Sequence, residues 1–429
     1  MYTFGLMFID FFKNQNLHYF MLFFIFIFIR WGFVYFNAIK YKPYEYEGDK
    51  KFNTSVIIPV VDEPLDLFNQ VLTRIAKQDP SEIIVVINGP KNEGLEKCVD
   101  VFSKDLKSSE HSNVLVKCFY TSVAGKRNAV CVGMEHTMPD SDIAILVDSD
   151  TVWTENTLSE LVKPFACDDE IGGVTTRQKI LDPNRKLVTM FANLLEEIRA
   201  EGSMKAMSYR GKVGCLPGRT IAFRTSILRT VMYDFMHEEF MGIHKEVSDD
   251  RSLTNLTLQL GYKTVMQDTS VVYTDAPTQW KKFIRQQFRW SEGSQYNNLR
   301  MTKWMAKNAK LMCFIYWTDM LMPMMLISVY MNALLCIILN HCGADIPTIN
   351  YTGAIYATVL LIILGCIFSF GARNIKVMLD LPFYYTLLIP IFIFVLTIIM
   401  VPVRLVGLSK CADGMGWGTR KLTAEEGVA

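Results

Sequence analysis

The chain has 429 residues, half of them hydrophobic, and its 44 basic and 43 acidic side chains leave a net charge of +1. This composition excludes a disordered chain, which would have fewer apolar residues and more net charge. It also argues against a nucleic-acid-binding protein, which would carry a basic excess. The mean hydropathy of +0.19 is low for a polytopic transporter, so we expect a soluble domain joined to a few membrane segments.

The cysteines and histidines show no metal-site pattern. The ten cysteines form no CxxC pair, and His237 and His244 lack the i, i+4 spacing of a zinc protease. We therefore expect neither a zinc site nor a disulfide framework, but reduced cysteines in a cytosolic or membrane setting.

A first apolar run covers residues 17–39. It is long enough to cross a bilayer and lacks the small-residue cleavage site of a signal peptide. Arg30 interrupts it, and because a charge in a bilayer is costly we expect this side chain to face protein or to snorkel. Three further apolar runs follow near the other end of the chain, at residues 311–339, 351–370 and 382–406.

The chain therefore divides into four predicted parts. They are an N-terminal membrane anchor (1–39), a cytosolic domain (40–300), a C-terminal transmembrane bundle (301–408) and a cytosolic tail (409–429). The Lys and Arg residues that flank the apolar runs place the large domain in the cytosol of a multi-pass membrane protein. Three full C-terminal crossings would export the basic tail, so the last run, with Pro390 and Pro402, is a candidate to bend back.

The first half of the soluble domain alternates apolar runs with helical patterns. This alternation is typical of a Rossmann-like α/β domain with a doubly wound, mostly parallel sheet. The predicted strands cover 55–60, 83–87, 114–119 and 143–147, and the predicted helices cover 65–77 and 94–107.

Polar side chains follow these strands, where ligands bind in such sheets. They are Asp62 and Glu63, Asn88, and the pair Asp148 and Asp150. No GxGxxG or Walker lysine motif occurs, so phosphate binding would need a metal or basic side chains. Two carboxylates spaced as DxD can hold Mg²⁺ or Mn²⁺ against a diphosphate, although a solvated loop or helix cap would also explain them.

Further motifs follow in order along the chain. They are KVGCLPGRTIAFR at 212–224, the acidic pair Asp249-Asp250, QxxRW at 286–290 and WGTR at 417–420. Taken alone, the acidic pair has a second interpretation as the cap of a helix near Arg251, and Trp290 has one as a core residue.

Together these motifs resemble the processive family 2 glycosyltransferases of the hyaluronan and cellulose synthase type, and among them most closely the type 3 capsular polysaccharide synthases. The resemblance runs from the first apolar segment to WGTR. It implies a GT-A catalytic domain with interfacial helices on the cytosolic face of a membrane channel, in a bacterial plasma membrane. The stretches that carry the closer match include SVIIPVVDEP, SEIIVVINGP, GKRNA, LVDSDTVW, GGVTTRQKILDP, VSDDRSLTNLTL and IRQQFRW.

The resemblance implies a role for each matching residue. Asp150 would bind the metal with Asp148, which would also help to hold the nucleotide, and Asp250 would be the general base beside Asp249. The expected donor-binding residues are Asp62, Glu63, Asn88, Lys126, Arg127, Asp148, Gln286, Arg289, Trp417 and Arg420. The expected acceptor-binding residues are Trp290, Cys215 and Arg219.

Two positions depart from the family pattern. Ser248 replaces the Gly that is usual before the acidic pair, which leaves the base intact. Asn88 stands where many relatives carry an Asp, which puts the uracil contact there in doubt.

Two helices have an ambiguous environment. Asp182-Pro183-Asn184 is expected to cap a helix whose apolar positions are Leu187, Val188, Phe191, Leu194, Leu195 and Ile198. Such a helix lies on the bilayer surface or in the core, and the family layout favours the bilayer surface. The segment 280–304 has the same ambiguity.

The resulting hypothesis is an inverting polysaccharide synthase that polymerises and exports an acidic β-linked capsular polymer from UDP-glucose and UDP-glucuronic acid. Its expected partners are the UDP-sugars, the growing polysaccharide, the lipid bilayer and a lipid or oligosaccharide primer, with no nucleic acid. The alternative is a hyaluronan synthase or another β-polysaccharide synthase, because no motif reads the sugar ring. A single-sugar transferase and an inactive channel are weaker rivals.

Overall fold

The structure is a computed structural model that describes residues 15–342 and 352–412. The chain forms two compact units. The sheet unit contains described residues 37–312 and 407–412, and the helical unit contains described residues 15–36, 313–342 and 352–406. The four predicted domain limits stay predictions.

Ten strands form the β structure of the described residues. They are β1 (Thr54–Val60), β2 (Glu82–Asn88), β3 (Leu115–Thr121), β4 (Ile143–Val147), β5 (Thr151–Trp153), β6 (Ile171–Ile180), β7 (Thr220–Arg224), β8 (Glu239–Phe240), β9 (Ile243–His244) and β10 (Lys263–Thr274).

Among the described residues, nine α-helices lie wholly within the sheet unit. They are α2 (Leu65–Ala76), α3 (Glu93–Lys107), α4 (Lys126–Glu135), α5 (Thr157–Cys167), α6 (Leu187–Arg199), α7 (Lys205–Tyr209), α8 (Thr225–Met236), α9 (Asp249–Gln259) and α10 (Trp280–Asn308). A 3₁₀ turn at Pro183–Arg185 precedes α6, and a π-helical turn at Ala200–Met204 follows it.

The remaining helices belong wholly or mainly to the helical unit. They are α1 (Gln15–Ala38), α11 (Lys310–His341), α12 (Thr352–Arg373), α13 (Ile375–Asp380), α14 (Tyr384–Leu387), α15 (Ile389–Val395) and α16 (Val401–Ser409), with a π-helical turn at Leu396–Met400.

The large sheet has the order β3-β2-β1-β4-β7-β6-β10-β5. Strands β1, β2, β3 and β4 pair in parallel, as do β6 and β10, which confirms the predicted mostly parallel sheet. Every residue of β1, β2 and β4 is buried, as expected for parallel strands covered on both faces. The sequence did not predict β7, which lies antiparallel between β4 and β6.

Glu82 is a buried carboxylate at the start of β2 that joins the first three strands. It accepts hydrogen bonds from Ser55 Oγ on β1 (2.5 Å), from Lys117 Nζ on β3 (2.6 Å) and from the backbone N–H of Met138 (2.7 Å). The polar residues of the site follow the opposite, carboxyl ends of strands in this part of the sheet. Glu82 therefore holds together strands whose other ends lie at the candidate site.

Replacing Glu82 with Ala should lower the free energy of unfolding by about 3 kcal/mol, because it leaves buried donors without an acceptor and Lys117 without its partner. Thermal unfolding followed by circular dichroism measures the loss. The control is Glu47→Ala, at an exposed glutamate, which should stay within about 0.5 kcal/mol of the parent. Equal stability of the two variants would contradict this role.

Helix α6 packs within the protein, against the prediction of an interfacial helix. Phe191 is fully buried, and its ring centroid lies 5.8 Å from that of Phe283 and 6.2 Å from that of Trp280 on α10. The apolar face that suggested a membrane surface is therefore a core face. Asp182 is at the cap position of a helical turn with Pro183 at its start, as expected, but that turn is the 3₁₀ turn; α6 itself begins at Leu187 behind Lys186.

Helix α10 is a packing helix as well. Its buried positions include Phe283, Tyr296, Met301 and Met305, and also the polar Asn297. A helix that buries amide side chains makes specific hydrogen-bonded contacts, which a bilayer surface would not provide.

Two helical stretches among the described residues are long and apolar enough to cross a membrane. They are Lys310–Ser328 and Ile389–Ser409, and shorter apolar helices occur at Leu22–Ala38 and Ile363–Arg373. The stretch from Ile389 to Ser409 is helical throughout, so its prolines do not turn the chain back. Pro402 follows the π-helical turn.

Arg30 faces protein, which is one of the two outcomes expected for it. Its guanidinium contacts the Asp319 carboxylate at 2.5 Å, and its Nε donates to Thr318 Oγ1 at 3.0 Å. A paired charge of this kind joins α1 to α11 within the helical unit.

Candidate active site

The DxD pair lies just beyond β4, beside the ends of β1 and β7. The backbone N–H of Asp148 donates to the carbonyl of Arg219 (3.0 Å), the residue before β7. Ser149 Oγ donates to Glu63 Oε1 (3.1 Å), and Glu63 follows β1. The carboxylates that the sequence placed at separate strand ends thus share one edge of the sheet.

Asp150 is the most perturbed carboxylate at this edge. Burial, followed by the nearby charges of Asp148 and Glu63, raises its pKa to about 7, against the opposing effect of Arg219 and Lys126. Crowded carboxylates with too little positive charge are a favourable environment for a divalent cation. Among the described residues no group of three or more Asp, Glu, His or Cys side chains is arranged to hold a metal, so a cation here would take further ligands from substrate or water.

Lys126 is the first residue of α4, and its ammonium group contacts the carboxylate of Asp148. Burial lowers the pKa of Lys126, but Asp148, Asp249 and Asp250 outweigh that effect and raise the pKa above its ordinary value. Gly125, immediately before it, has φ +130°, a conformation open to glycine. The permanent positive charge of Lys126 therefore lies at the start of a helix, beside the DxD pair.

Asn88 supports the turn that precedes Lys126. It is buried at the end of β2, and its Nδ2 donates to the carbonyl of Gly125 (3.0 Å). The side chain predicted to contact the nucleotide is thus used to hold the turn before Lys126. Asp62, by contrast, is exposed just beyond β1 and remains available to a ligand.

Asp250 lies in the first turn of α9, on the other side of Gly218 from Lys126. Its Oδ2 accepts a hydrogen bond from the Gly218 N–H (3.2 Å) and faces Cys215 Sγ at 3.8 Å. A Cβ atom at Gly218 would lie 3.3 Å from Asp250 Cβ and 3.4 Å from Lys126 Nζ. The glycine therefore lets the two charged groups approach one another.

The alternative interpretation of the acidic pair as a helix cap is wrong. The cap position belongs to Ser248, whose side chain makes no capping hydrogen bond, and Asp249 and Asp250 are the first two helical residues. Cys215 beside them is a neutral thiol, because burial and then Asp250 raise its pKa to about 12.

The Arg127 side chain is buried in ion pairs rather than exposed to a ligand, which corrects its predicted role in nucleotide binding. Its side chain is 4% exposed and forms ion pairs with Glu238 (3.1 Å) and Asp249 (3.1 Å). It also donates to the carbonyl of Phe235 (2.5 Å) and packs over that residue's ring. Arg127 therefore holds Asp249 in place, and Asp249 is not a group that a substrate can reach easily.

Trp290 is 38% exposed, so the alternative interpretation as a core residue is wrong. The guanidinium of Arg219 lies 5.9 Å from its ring centroid. Arg219 is itself fixed by Glu196 (3.0 Å) and by Gln178 Oε1 (2.9 Å). An exposed indole face with an ordered polar neighbour suits a sugar ring.

The other residues of QxxRW, Gln286 and Arg289, are half-buried on the same helix. Trp417 and Arg420 lie outside the described residues. Sequence reasoning missed Gly218, Glu238, Gln178 and Glu196. Gly218 lies in KVGCLPGRTIAFR and Gln178 in GGVTTRQKILDP, but neither motif had given them a role; Glu238 and Glu196 act on the site through contacts distant in sequence.

Comparisons with known proteins agree on the class of this chain. Residues 52–293, more than half of it, match the family model described as glycosyltransferase like family 2. The chain is 25% identical to hyaluronan synthase of Streptococcus pyogenes serotype M1 over 91% of its own length and 87% of that protein. It is 27% identical to human hyaluronan synthase 3 over 50% of this chain and 37% of that one.

A solved structure has a similar fold. The mannosyltransferase PcManGT from Pyrobaculum calidifontis, in complex with GDP-Man and Mn²⁺, superposes with a TM-score of 0.60 over 92% of this chain and 97% of that one. The sequences are 17% identical over this match, so the likeness concerns the fold.

The adjacent residues Lys126 and Arg127 should fail in different ways when replaced by Met. Arg127→Met should lower the free energy of unfolding by about 3–5 kcal/mol, because it leaves buried carboxylates unpaired. Lys126→Met should keep most of the stability and weaken by about tenfold the binding of UDP, the nucleotide of the donors expected from the sequence. Thermal unfolding and titration calorimetry with UDP separate the two effects. Wild-type stability of Arg127→Met would contradict the assignment.

Proposed function

Because the chain belongs to the glycosyltransferase-like family 2, we propose that it is a processive, inverting polysaccharide synthase of the membrane. Its α/β unit has the GT-A fold predicted from the sequence, and the enzyme is a sugar-nucleotide glycosyltransferase.

One observation carries the proposal above all others. Lys126, which contacts Asp148 of the DxD pair, and Asp250 lie on either side of Gly218, and the next residue, Arg219, lies beside Trp290. We call Asp148, Asp150 and Lys126 the proposed donor half and Asp250 and Trp290 the proposed acceptor half. The donor half brings acidic and basic groups suited to a diphosphate with its cation. The acceptor half brings a carboxylate and an aromatic face suited to a sugar hydroxyl and ring. Both halves are needed to join a nucleotide-sugar to an acceptor.

The donor half fits a divalent cation. Asp150 and Asp148 would hold Mg²⁺ or Mn²⁺, since hard cations prefer oxygen ligands and since burial, followed by the nearby carboxylates of Asp148 and Glu63, raises the pKa of Asp150. A cation so held would supply positive charge to stabilise the leaving diphosphate. Lys126 adds a fixed charge beside it, and Arg289 and Gln286, with Trp417 and Arg420, are proposed as further donor contacts.

Asp250 is proposed as the general base. It would accept the proton of the acceptor hydroxyl as that oxygen attacks the anomeric carbon, a contribution of roughly 10²–10⁴-fold. Gly218 N–H and Cys215 hold its Oδ2, which orients the carboxylate before the acceptor arrives. A single base opposite the diphosphate favours direct displacement, so an α-linked donor would give a β-linked product.

Trp290 and Arg219 are proposed to hold the acceptor end of the growing chain. The indole face would pack on sugar C–H groups while Arg219 offers donors to ring hydroxyls. A platform that binds the end of a chain rather than a free sugar suits repeated addition, which is what processivity requires.

Membrane embedding and export are supported by the similarity to hyaluronan synthase, which extends over 91% of the chain and so includes the helical unit. The two long apolar helical stretches are consistent with it. We propose UDP-glucose and UDP-glucuronic acid as donors and an acidic capsular polymer as product. The relatives named hyaluronan synthase favour a second candidate, with UDP-N-acetylglucosamine in place of UDP-glucose.

The test of donor identity is UDP release by the purified full-length protein in lipid nanodiscs. UDP-glucose, UDP-glucuronic acid and UDP-N-acetylglucosamine are supplied singly and in pairs, with Mg²⁺ or Mn²⁺. We expect sustained release and a high-mass product only with UDP-glucose plus UDP-glucuronic acid. The same result with UDP-N-acetylglucosamine plus UDP-glucuronic acid selects the second candidate, and a single-sugar product rules out a polymerase.

Asp250→Asn should reduce turnover at least a hundredfold and leave UDP affinity within about twofold, because the amide cannot take the acceptor proton. UDP release and UDP calorimetry measure the two quantities. The matched control is Asp100→Asn on α3, at an exposed aspartate paired only with Lys104, which should keep full turnover. Normal turnover of Asp250→Asn would remove the base assignment.

A further inference from the structure

Ser248, two residues before Asp250, has an unusual backbone conformation. Its φ is +64° and its ψ is +55°, in the left-handed region that disfavours residues with a Cβ atom. It forms the corner between Val247 and the first turn of α9. The position of this corner therefore determines where the Asp250 carboxylate lies.

The corner rests on a glycine of α10. A Cβ atom at Gly293 would lie 1.8 Å from Ser248 Oγ and 2.9 Å from Ser248 Cβ. It would also lie 3.3 Å from Val247 Cγ1. The serine side chain thus occupies the space that any other residue at position 293 would need for its own side chain.

Neighbouring contacts hold the same two segments together. Tyr296, one turn beyond Gly293, donates its hydroxyl to the Val247 carbonyl (2.8 Å). Arg251 on α9 donates to Ser294 Oγ on α10 (3.0 Å). Helix α10 also carries Trp290, one turn before Gly293, so the corner and the aromatic platform share one rigid helix.

We propose that the Ser248–Gly293 contact sets the distance between the base Asp250 and the acceptor platform Trp290, and that both contact residues are positioning residues for glycosyl transfer. This proposal rests on the proposed function of those two groups. A displacement of the corner moves Asp250 against the acceptor hydroxyl, whereas Asp148 and Asp150 follow β4 on a separate segment of the chain. The loss then falls on turnover rather than on donor binding.

The test uses full-length Gly293→Ala, Ser248→Gly and the double variant in nanodiscs, with the donor pair that sustains UDP release. Gly293→Ala should lower kcat by about 10²-fold and change the KM for each UDP-sugar by less than about threefold. In the double variant the clashing Oγ and Cβ of residue 248 are gone, so at least tenfold of the lost kcat should return. Gly365→Ala is the matched control, since that helical glycine has open space around it.

Thermal unfolding of the same variants tests the contact independently of activity. Gly293→Ala should unfold at a lower temperature than the parent, and the added Ser248→Gly should raise that temperature again. If the wild type releases UDP from no donor pair, the proposed function fails, and the unfolding data still decide whether the contact exists. Wild-type kcat in Gly293→Ala, or no recovery in the double variant, would overturn the proposal.

Discussion

The buried guanidinium of Arg127 is the interaction on which the site depends. It lies at the start of α4 and pairs with Asp249 at the start of α9 and with Glu238 between α8 and β8. Because Lys126 precedes Arg127 and Asp250 follows Asp249, one buried ion cluster sets the spacing of the donor and acceptor halves. Burying such charges costs free energy unless each charge has its partner. Removing any one of these side chains should therefore disrupt the whole cluster.

Helix α10 adds a second constraint, because it contacts segments that are distant from it in the sequence. It carries the exposed Trp290 beside Arg219, packs Gly293 against Ser248, and through Arg300 contacts Glu238 at 2.7 Å. The carboxylate that holds Arg127 is therefore also held by the helix that carries the aromatic platform. The base, the platform and the ammonium of Lys126 are parts of one connected network of buried contacts.

Short-range sequence patterns predicted the strands, helices and motifs that depend on residues close together in the chain. The strand β4 and the helices beside β1 and β2 were predicted within a residue or two, because alternation and apolar periodicity report burial directly. The DxD pair, Asp250 and Trp290 were found as motifs, and they gather at one edge of the sheet. The role of Arg127 and the environment of α6 were mispredicted, since a basic residue in a motif and an apolar helix face look alike whether they meet ligand, lipid or protein.

The sequence by itself determined the class of the protein: a mostly parallel α/β unit, apolar segments beside it, and acidic and aromatic motifs in the order of a sugar transferase. Only the tertiary structure decided which of those residues face the cleft. Asp249 and Asp250 are neighbours in the chain, yet one is locked to Arg127 and the other faces Gly218 and Cys215. The physical reason is that burial and pairing are set by elements far apart in sequence, which no local pattern records.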